Sequence, residues 1–178
     1  MTTLTSKLKQ KLKRIRLLLL DVDGVLTDGS IIYDDDGGEI KNFNVKDGMG
    51  IRLLGLLGID VGIITGRRSN ALLHRCKNLG IELVYDGIRD KAEILKQLSK
   101  KQNLQFDEIA FVGDDLPDLS IMAVVGLSVA VADAHPVVRE SADLITEANG
   151  GDGAVRELCE VIIHAQGRWE KVMEHFLP

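Results

Sequence analysis

Cysteine, proline and aromatic residues are scarce in this chain, and no long apolar run is present. Its 178 residues include 2 Cys, 3 Pro and 4% aromatics. Cys76 and Cys159 have neither the paired spacing of a zinc site nor the number needed for a disulfide framework, so reduced thiols in a cytoplasmic protein are expected. No apolar stretch approaches the ~20 residues that cross a bilayer, so no membrane partner is expected. Basic charge is also short: 22 Lys and Arg against 27 Asp and Glu leave a net charge of −5, which argues against nucleic acid held on a basic surface. The exception is KLKQKLKRIR, Lys7 to Arg16. The apolar run behind it is short and has no small-residue cleavage site, so no signal peptide is expected and residues 1–15 read as a solvated basic lead-in with room for one helical turn. Repeats and low-complexity linkers are absent. With 45% hydrophobic residues, the chain can bury one core, so a single domain over 1–178 is expected.

What the chain does have is organised around Leu17 to Gly29, LLLLDVDGVLTDG. Four consecutive leucines predict a strand buried on both faces, and it ends in Asp21, Asp23 and Gly24. Charge is thereby placed where a central parallel strand leaves its sheet, the position of the ligand crevice in open α/β folds. Next, SIIYDDDGGEIKNFNV alternates around an Asp- and Gly-rich turn and predicts a β-hairpin within 30–43, Ser30 to Tyr33 pairing with Glu39 to Phe43. Asp34, Asp35 and Asp36 lack a full calcium spacing and read as a solvated turn.

From Asp47 a helical pattern runs through Leu57, stopped by Gly58. Strands are then expected at Asp60 to Thr65, Glu82 to Tyr85, Glu108 to Val112, Ser128 to Val131 and Asp143 to Ile145. Helices are expected near Ser69 to Leu79, Lys91 to Lys101, Leu116 to Val125, Pro136 and Ala154 to Ala165. The tail, 166–178, has no clear assignment. Alternating strands and helices imply an α/β fold, a doubly wound, Rossmann-like parallel sheet with a protruding hairpin. Strand ends then share one edge, where Thr65, Lys91, Asp114, Asp115 and Asp118 can converge on Asp21 and Asp23.

DVDGVLTD resembles the nucleophile motif of the haloacid dehalogenase (HAD) superfamily, mostly magnesium-dependent phosphohydrolases. The resemblance implies that Asp21 attacks phosphorus and that Asp23 is first general acid, then general base. This is chemically sensible: a carboxylate is already ionised at neutral pH, and an aspartyl phosphate divides one hard hydrolysis into two easier steps. Ile64-Thr65-Gly66-Arg67 resembles the superfamily's second motif, in which a hydroxyl and a backbone N–H bind phosphate. Lys91 corresponds to the third, an ammonium that neutralises phosphoryl oxygens. GDDLPD, Gly113 to Asp118, resembles the fourth, which implies Mg2+ on Asp21, Asp23 and Asp114, with Asp115 and Asp118 supporting those ligands.

Spacing leaves no room for a cap domain after either of the first two motifs. Another subunit is therefore expected to complete the site, with the hairpin as assembly element. Together with FNVKDGMGIR, VADAHPVV and NGGDGAVRE, the motifs resemble the capless, homotetrameric phosphatases of 3-deoxy-D-manno-octulosonate 8-phosphate in lipopolysaccharide synthesis. That resemblance implies a substrate pocket of Asn44, Val45, Lys46, Asp47, Gly48 and Arg52 beside Asp23, Thr65, Gly66 and Lys91. It also implies that Arg67 and Arg75 hold the sugar's carboxylate or phosphate, for which guanidinium forks are suited. A phosphatase of nonulosonate 9-phosphates, which shares the scaffold, and a non-catalytic HAD-like oligomerisation module remain open as alternatives.

Overall fold

The structure is a computed structural model and describes residues 5–177. Among the described residues there are eight strands and eight α-helices, which alternate from β3 to α7. In chain order they are α1 (Ser6–Arg14), β1 (Leu17–Leu20), β2 (Ile32–Tyr33), β3 (Glu39–Ile40), α2 (Val45–Leu56), β4 (Asp60–Ile64), α3 (Asn70–Leu79), β5 (Leu83–Tyr85), α4 (Lys91–Gln102), β6 (Ile109–Gly113), α5 (Leu119–Met122), β7 (Leu127–Ala130), α6 (Pro136–Ser141), β8 (Leu144–Ile145), α7 (Ala154–Ala165) and α8 (Trp169–Met173). The main sheet is wholly parallel, in the order β5-β4-β1-β6-β7-β8.

All four leucines of β1 are fully buried, as a strand covered on both faces requires. Leu20 is level with Ile63 of β4 and with Val112 of β6. This register sets Asp21, Thr65 and Asp114 within a residue or two of one another along the same sheet edge. Helices α1, α2, α3 and α7 contact one another in one group; α4, α5 and α6 form a second. Side-chain caps fix where the site-bearing helices begin: the Asn44 Oδ1 accepts from Lys46 N (2.8 Å) ahead of α2, and Asp90 Oδ1 accepts from Glu93 N (3.0 Å) ahead of α4. Lys91 is thus the first residue of its helix.

Four segments differ from expectation. Rather than a solvated lead-in, the basic segment forms the nine-residue α1, because Leu8, Leu12 and Ile15 share a face that packs into the core and α1 contacts α7. The hairpin is shorter than expected, pairing Ile32 with Ile40 and Tyr33 with Glu39. After Asp115 a 3₁₀ turn, Leu116–Asp118, precedes a brief α5, since Pro117 and the Asp118 carboxylate bound to backbone N–H groups tighten the first turn. The tail carries α8, with Val172 buried, Trp169 stacked on His164, and Gln166 Nε2 donating to Ile15 O (2.9 Å). Among the described residues no helix is long and apolar enough to cross a membrane.

Candidate active site

Asp21 leaves β1 with its backbone N–H donated to Val112 O (3.0 Å), so the strand ladder itself aims it at the sheet edge. Its Oδ1 lies 2.9 Å from Lys91 Nζ, and that ammonium also donates to Asp118 Oδ1 at 2.6 Å. Lys91 is 3% exposed and Asp118 1%, so the ammonium is held between these two acids with one N–H to spare. Burial alone would lower the Lys91 pKa, but Asp21 and Asp118 together carry it above its ordinary value. The other oxygen of Asp118 accepts from the N–H groups of Asp114 (2.9 Å) and Asp115 (3.4 Å).

Asp114 is different. Its Oδ1 is buried without a hydrogen-bond partner, and its pKa is pushed up to about 7, first by burial and then by the charges of Asp21, Asp118 and Asp115. Burial likewise raises Asp21 to about 6; Lys91 opposes that shift and Asp118 adds to it. Carboxylate oxygens of Asp21, Asp114 and Asp118 lie within 4.8 Å of one another. Asp118 has both oxygens engaged, which leaves Asp21 and Asp114 with oxygens to offer. Such a crowded set of hard oxygen donors, one of them orphaned, fits Mg2+, whose charge would relieve the repulsion that raises both pKa values.

Gly24 makes this approach possible. It has φ +86°, and a Cβ there would lie 2.1 Å from Asp114 Oδ2. Gly24→Ala is therefore expected to destabilise the protein by more than about 1 kcal/mol through its left-handed backbone. It should also displace Asp114. Thermal denaturation and the magnesium dependence of activity check both effects.

Asp23 is expected on the metal, yet its side chain turns the other way. Oδ1 accepts a hydrogen bond from Lys41, whose side chain is 2% exposed, and Oδ2 lies 3.5 Å from Arg67 Nε. Glu39 joins the two cations, at 2.7 Å from Arg67 Nη2 and 3.5 Å from Lys41 Nζ. Thr65 is buried behind this group; its hydroxyl accepts from Arg67 N at 3.4 Å across the exposed Gly66. Lys41 and Glu39 had escaped sequence reasoning. Their signal was the alternation of β3, which turns its charged residues inward while Ile40 is exposed.

The expected pocket residues divide. Asn44 caps α2 and donates from Nδ2 to Gly151 O (3.3 Å), while Val45 and Lys46 are exposed at the helix start. Gly48 is small because Arg75 lies against it: a Cβ would sit 2.3 Å from Arg75 Nη2, which donates to Asn44 O (3.1 Å) while the guanidinium lies 5.8 Å from the Phe43 ring centroid. Asp47 does not line a pocket. It is 1% exposed and its Oδ1 accepts from Arg156 N (2.8 Å), an acid placed at the positive end of α7, and burial still raises its pKa. Nor does Arg52 reach Asp21 within one chain; it donates to Asn78 O (3.0 Å) and lines a cavity of about 660 Å³ with Ile59, Asp60 and Glu82, at the opposite sheet edge. Asp115 is exposed beside Asp114. The structure therefore brings Asp21, Asp23, Thr65, Arg67, Lys91, Asp114 and Asp118 to one sheet edge.

Comparison with known proteins identifies the family. Residues 81–158 match the family model of haloacid dehalogenase-like hydrolases. The chain is 49% identical over 161 residues to 3-deoxy-D-manno-octulosonate 8-phosphate phosphatase KdsC of Yersinia pestis, covering 90% of this chain and 86% of that one. Its identity to the same protein of Escherichia coli K12 is 48% over 161 residues, with the same coverage. Among solved structures, the Moraxella catarrhalis 3-deoxy-D-manno-octulosonate 8-phosphate phosphatase, in complex with a magnesium ion, a phosphate ion and KDO, superposes with a TM-score of 0.92 at 42% identity, over 95% of this chain and 97% of that one. With such identity over nine-tenths of its length, and an ammonium set among converging acids at the sheet edge, the chain belongs to the family of 3-deoxy-D-manno-octulosonate 8-phosphate phosphatases, within the haloacid dehalogenase-like hydrolases.

Proposed function

We propose that the chain is a magnesium-dependent phosphatase that hydrolyses 3-deoxy-D-manno-octulosonate 8-phosphate to the free sugar acid and inorganic phosphate, in lipopolysaccharide biosynthesis. The observation that carries this reading is the Lys91 ammonium set between Asp21 and Asp118, with the unpaired oxygen of Asp114 in the same cluster. An Asp21 oxygen attacks phosphorus as the bond from phosphorus to the sugar's terminal oxygen breaks, and Asp23 gives that oxygen its proton. Asp23 then takes a proton from water, whose oxygen displaces Asp21 from phosphorus and frees inorganic phosphate. Mg2+, held by Asp21 and Asp114, would neutralise charge on the phosphoryl oxygens. Lys91, the Thr65 hydroxyl and Arg67 orient the same group, and Arg75 with the start of α2 receives the sugar acid.

We further infer one capless domain acting as a homotetramer in the cytoplasm. What supports assembly is the hairpin, which exposes Ile31, Ile32, Tyr33 and Ile40, an apolar face with no covering element among the described residues. In that assembly Arg52, remote from Asp21 in its own chain, would serve a neighbour's site.

The test is phosphate release, with and without magnesium, from octulosonate 8-phosphate, nonulosonate 9-phosphates and common hexose phosphates. Strong magnesium-dependent preference for the octulosonate ester is expected. Preference for the nine-carbon esters would move the substrate to sialic-acid-type sugars, and silence across the panel would reduce the chain to an assembly module.

A further inference from the structure

We infer that the β-hairpin is also part of the catalytic apparatus: Lys41, just past β3, is a positioning residue that holds one oxygen of Asp23 and leaves the other to work. The inference rests on the acid and base role proposed for Asp23. A carboxyl group that hands a proton to a leaving group must present one defined oxygen, and the surest way is to tie down its other oxygen. Here Lys41 donates to Oδ1. Oδ2 faces Arg67 Nε at 3.5 Å, and this Nε–H makes no hydrogen bond.

Lys41 is itself anchored. Its side chain is 2% exposed, and Glu39 stands 3.5 Å away, fixed in turn by Arg67 at 2.7 Å. The hairpin contributes both Glu39 and Lys41 by pointing its charged face inward. A hairpin used for assembly alone would have no reason to bury a lysine against the acid that lies 18 residues earlier in the chain. The working oxygen is therefore Oδ2.

The experiment compares Lys41→Met, Lys41→Arg and Asp23→Asn on two esters. Octulosonate 8-phosphate has an alkoxide leaving group that needs a proton, whereas p-nitrophenyl phosphate releases a phenolate that leaves without one. For Lys41→Met, release of the sugar acid in a single turnover should slow on the order of 10²-fold, within the range general acid catalysis supplies, while the single-turnover burst of nitrophenolate from the aryl ester slows less than ~3-fold; kcat falls on both esters, because they share the second step in which Asp23 is the base. Lys41→Arg should recover a good part of both losses. A retained nitrophenolate burst also shows that the variant is folded. Equal single-turnover losses on both esters, or no loss on either, in Lys41→Met while Asp23→Asn discriminates between them would overturn the assignment of Lys41 alone. If Asp23→Asn does not discriminate, the acid role of Asp23 falls and takes the inference with it.

Discussion

Asp21→Asn is expected to abolish turnover, by ~10⁴-fold or more, the scale on which enzymes lose activity when their covalent nucleophile is removed. An amide oxygen at this position still reaches the phosphorus but carries no charge to attack with. The fold should survive, and the reason lies in the electrostatics of the cluster. Burial disfavours the Asp21 charge and Asp118 repels it, so that its pKa is carried to about 6 despite Lys91. A buried acid whose folded pKa exceeds its unfolded value destabilises the native state once pH rises past both values. Removing that charge leaves Lys91 bonded to Asp118 at 2.6 Å and leaves Asp114 one repelling neighbour fewer. The metal-free variant should therefore melt at or above the wild-type temperature, by about 1 kcal/mol or ~2–4 °C for a chain of this size. Magnesium should stabilise it less than it stabilises the wild type, because a ligand to the cation has gone. Near-normal turnover would remove Asp21 as nucleophile, and a large fall in melting temperature would contradict the electrostatic account.

The sheet was legible in the sequence because its strands are short apolar runs between helical patterns, and β1 could be recognised from four leucines alone. Legible too was the convergence of strand ends, since a parallel sheet puts every carboxyl end on one side. What could not be read were contacts that depend on side-chain direction. Asp23 stands two residues from Asp21 yet turns to Lys41, a partner supplied by a hairpin whose apolar residues face outward, contrary to the usual pattern. Asp47 sits in a motif that suggests a pocket, yet it turns to the N-terminus of α7, more than a hundred residues on in the chain. α1 was masked by its own lysines, which overwhelm the three apolar positions that fasten it to the core. Each miss concerns a side chain whose partner is fixed by tertiary packing, which the local pattern signals weakly, as the alternation of β3 does for Lys41, and does not identify.

Lys91→Met should produce the largest combined loss of activity and stability. The ammonium is the only cation paired to either Asp21 or Asp118 among the described residues. Methionine matches its length but leaves two buried carboxylates facing each other beside Asp114, and breaking a buried ion pair by removing one partner costs about 3–5 kcal/mol. For this chain length that is a fall of ~10 °C or more in melting temperature. Turnover should fall at least ~10²-fold, because a preorganised donor to the phosphoryl oxygens is lost. The variant carries a signature that separates this cause from general damage. With one positive charge gone, the acid cluster attracts a divalent cation more strongly, so magnesium should raise the melting temperature of Lys91→Met by more than it raises that of the wild type, even as the enzyme stays nearly inactive. Melting curves in chelator and in saturating magnesium read this difference directly. A variant that melts within a degree or two of the wild type in chelator would mean that Asp21 and Asp118 do not depend on Lys91 for their burial. One that is destabilised but gains no more from magnesium than the wild type would mean that the ammonium and the cation act at separate places.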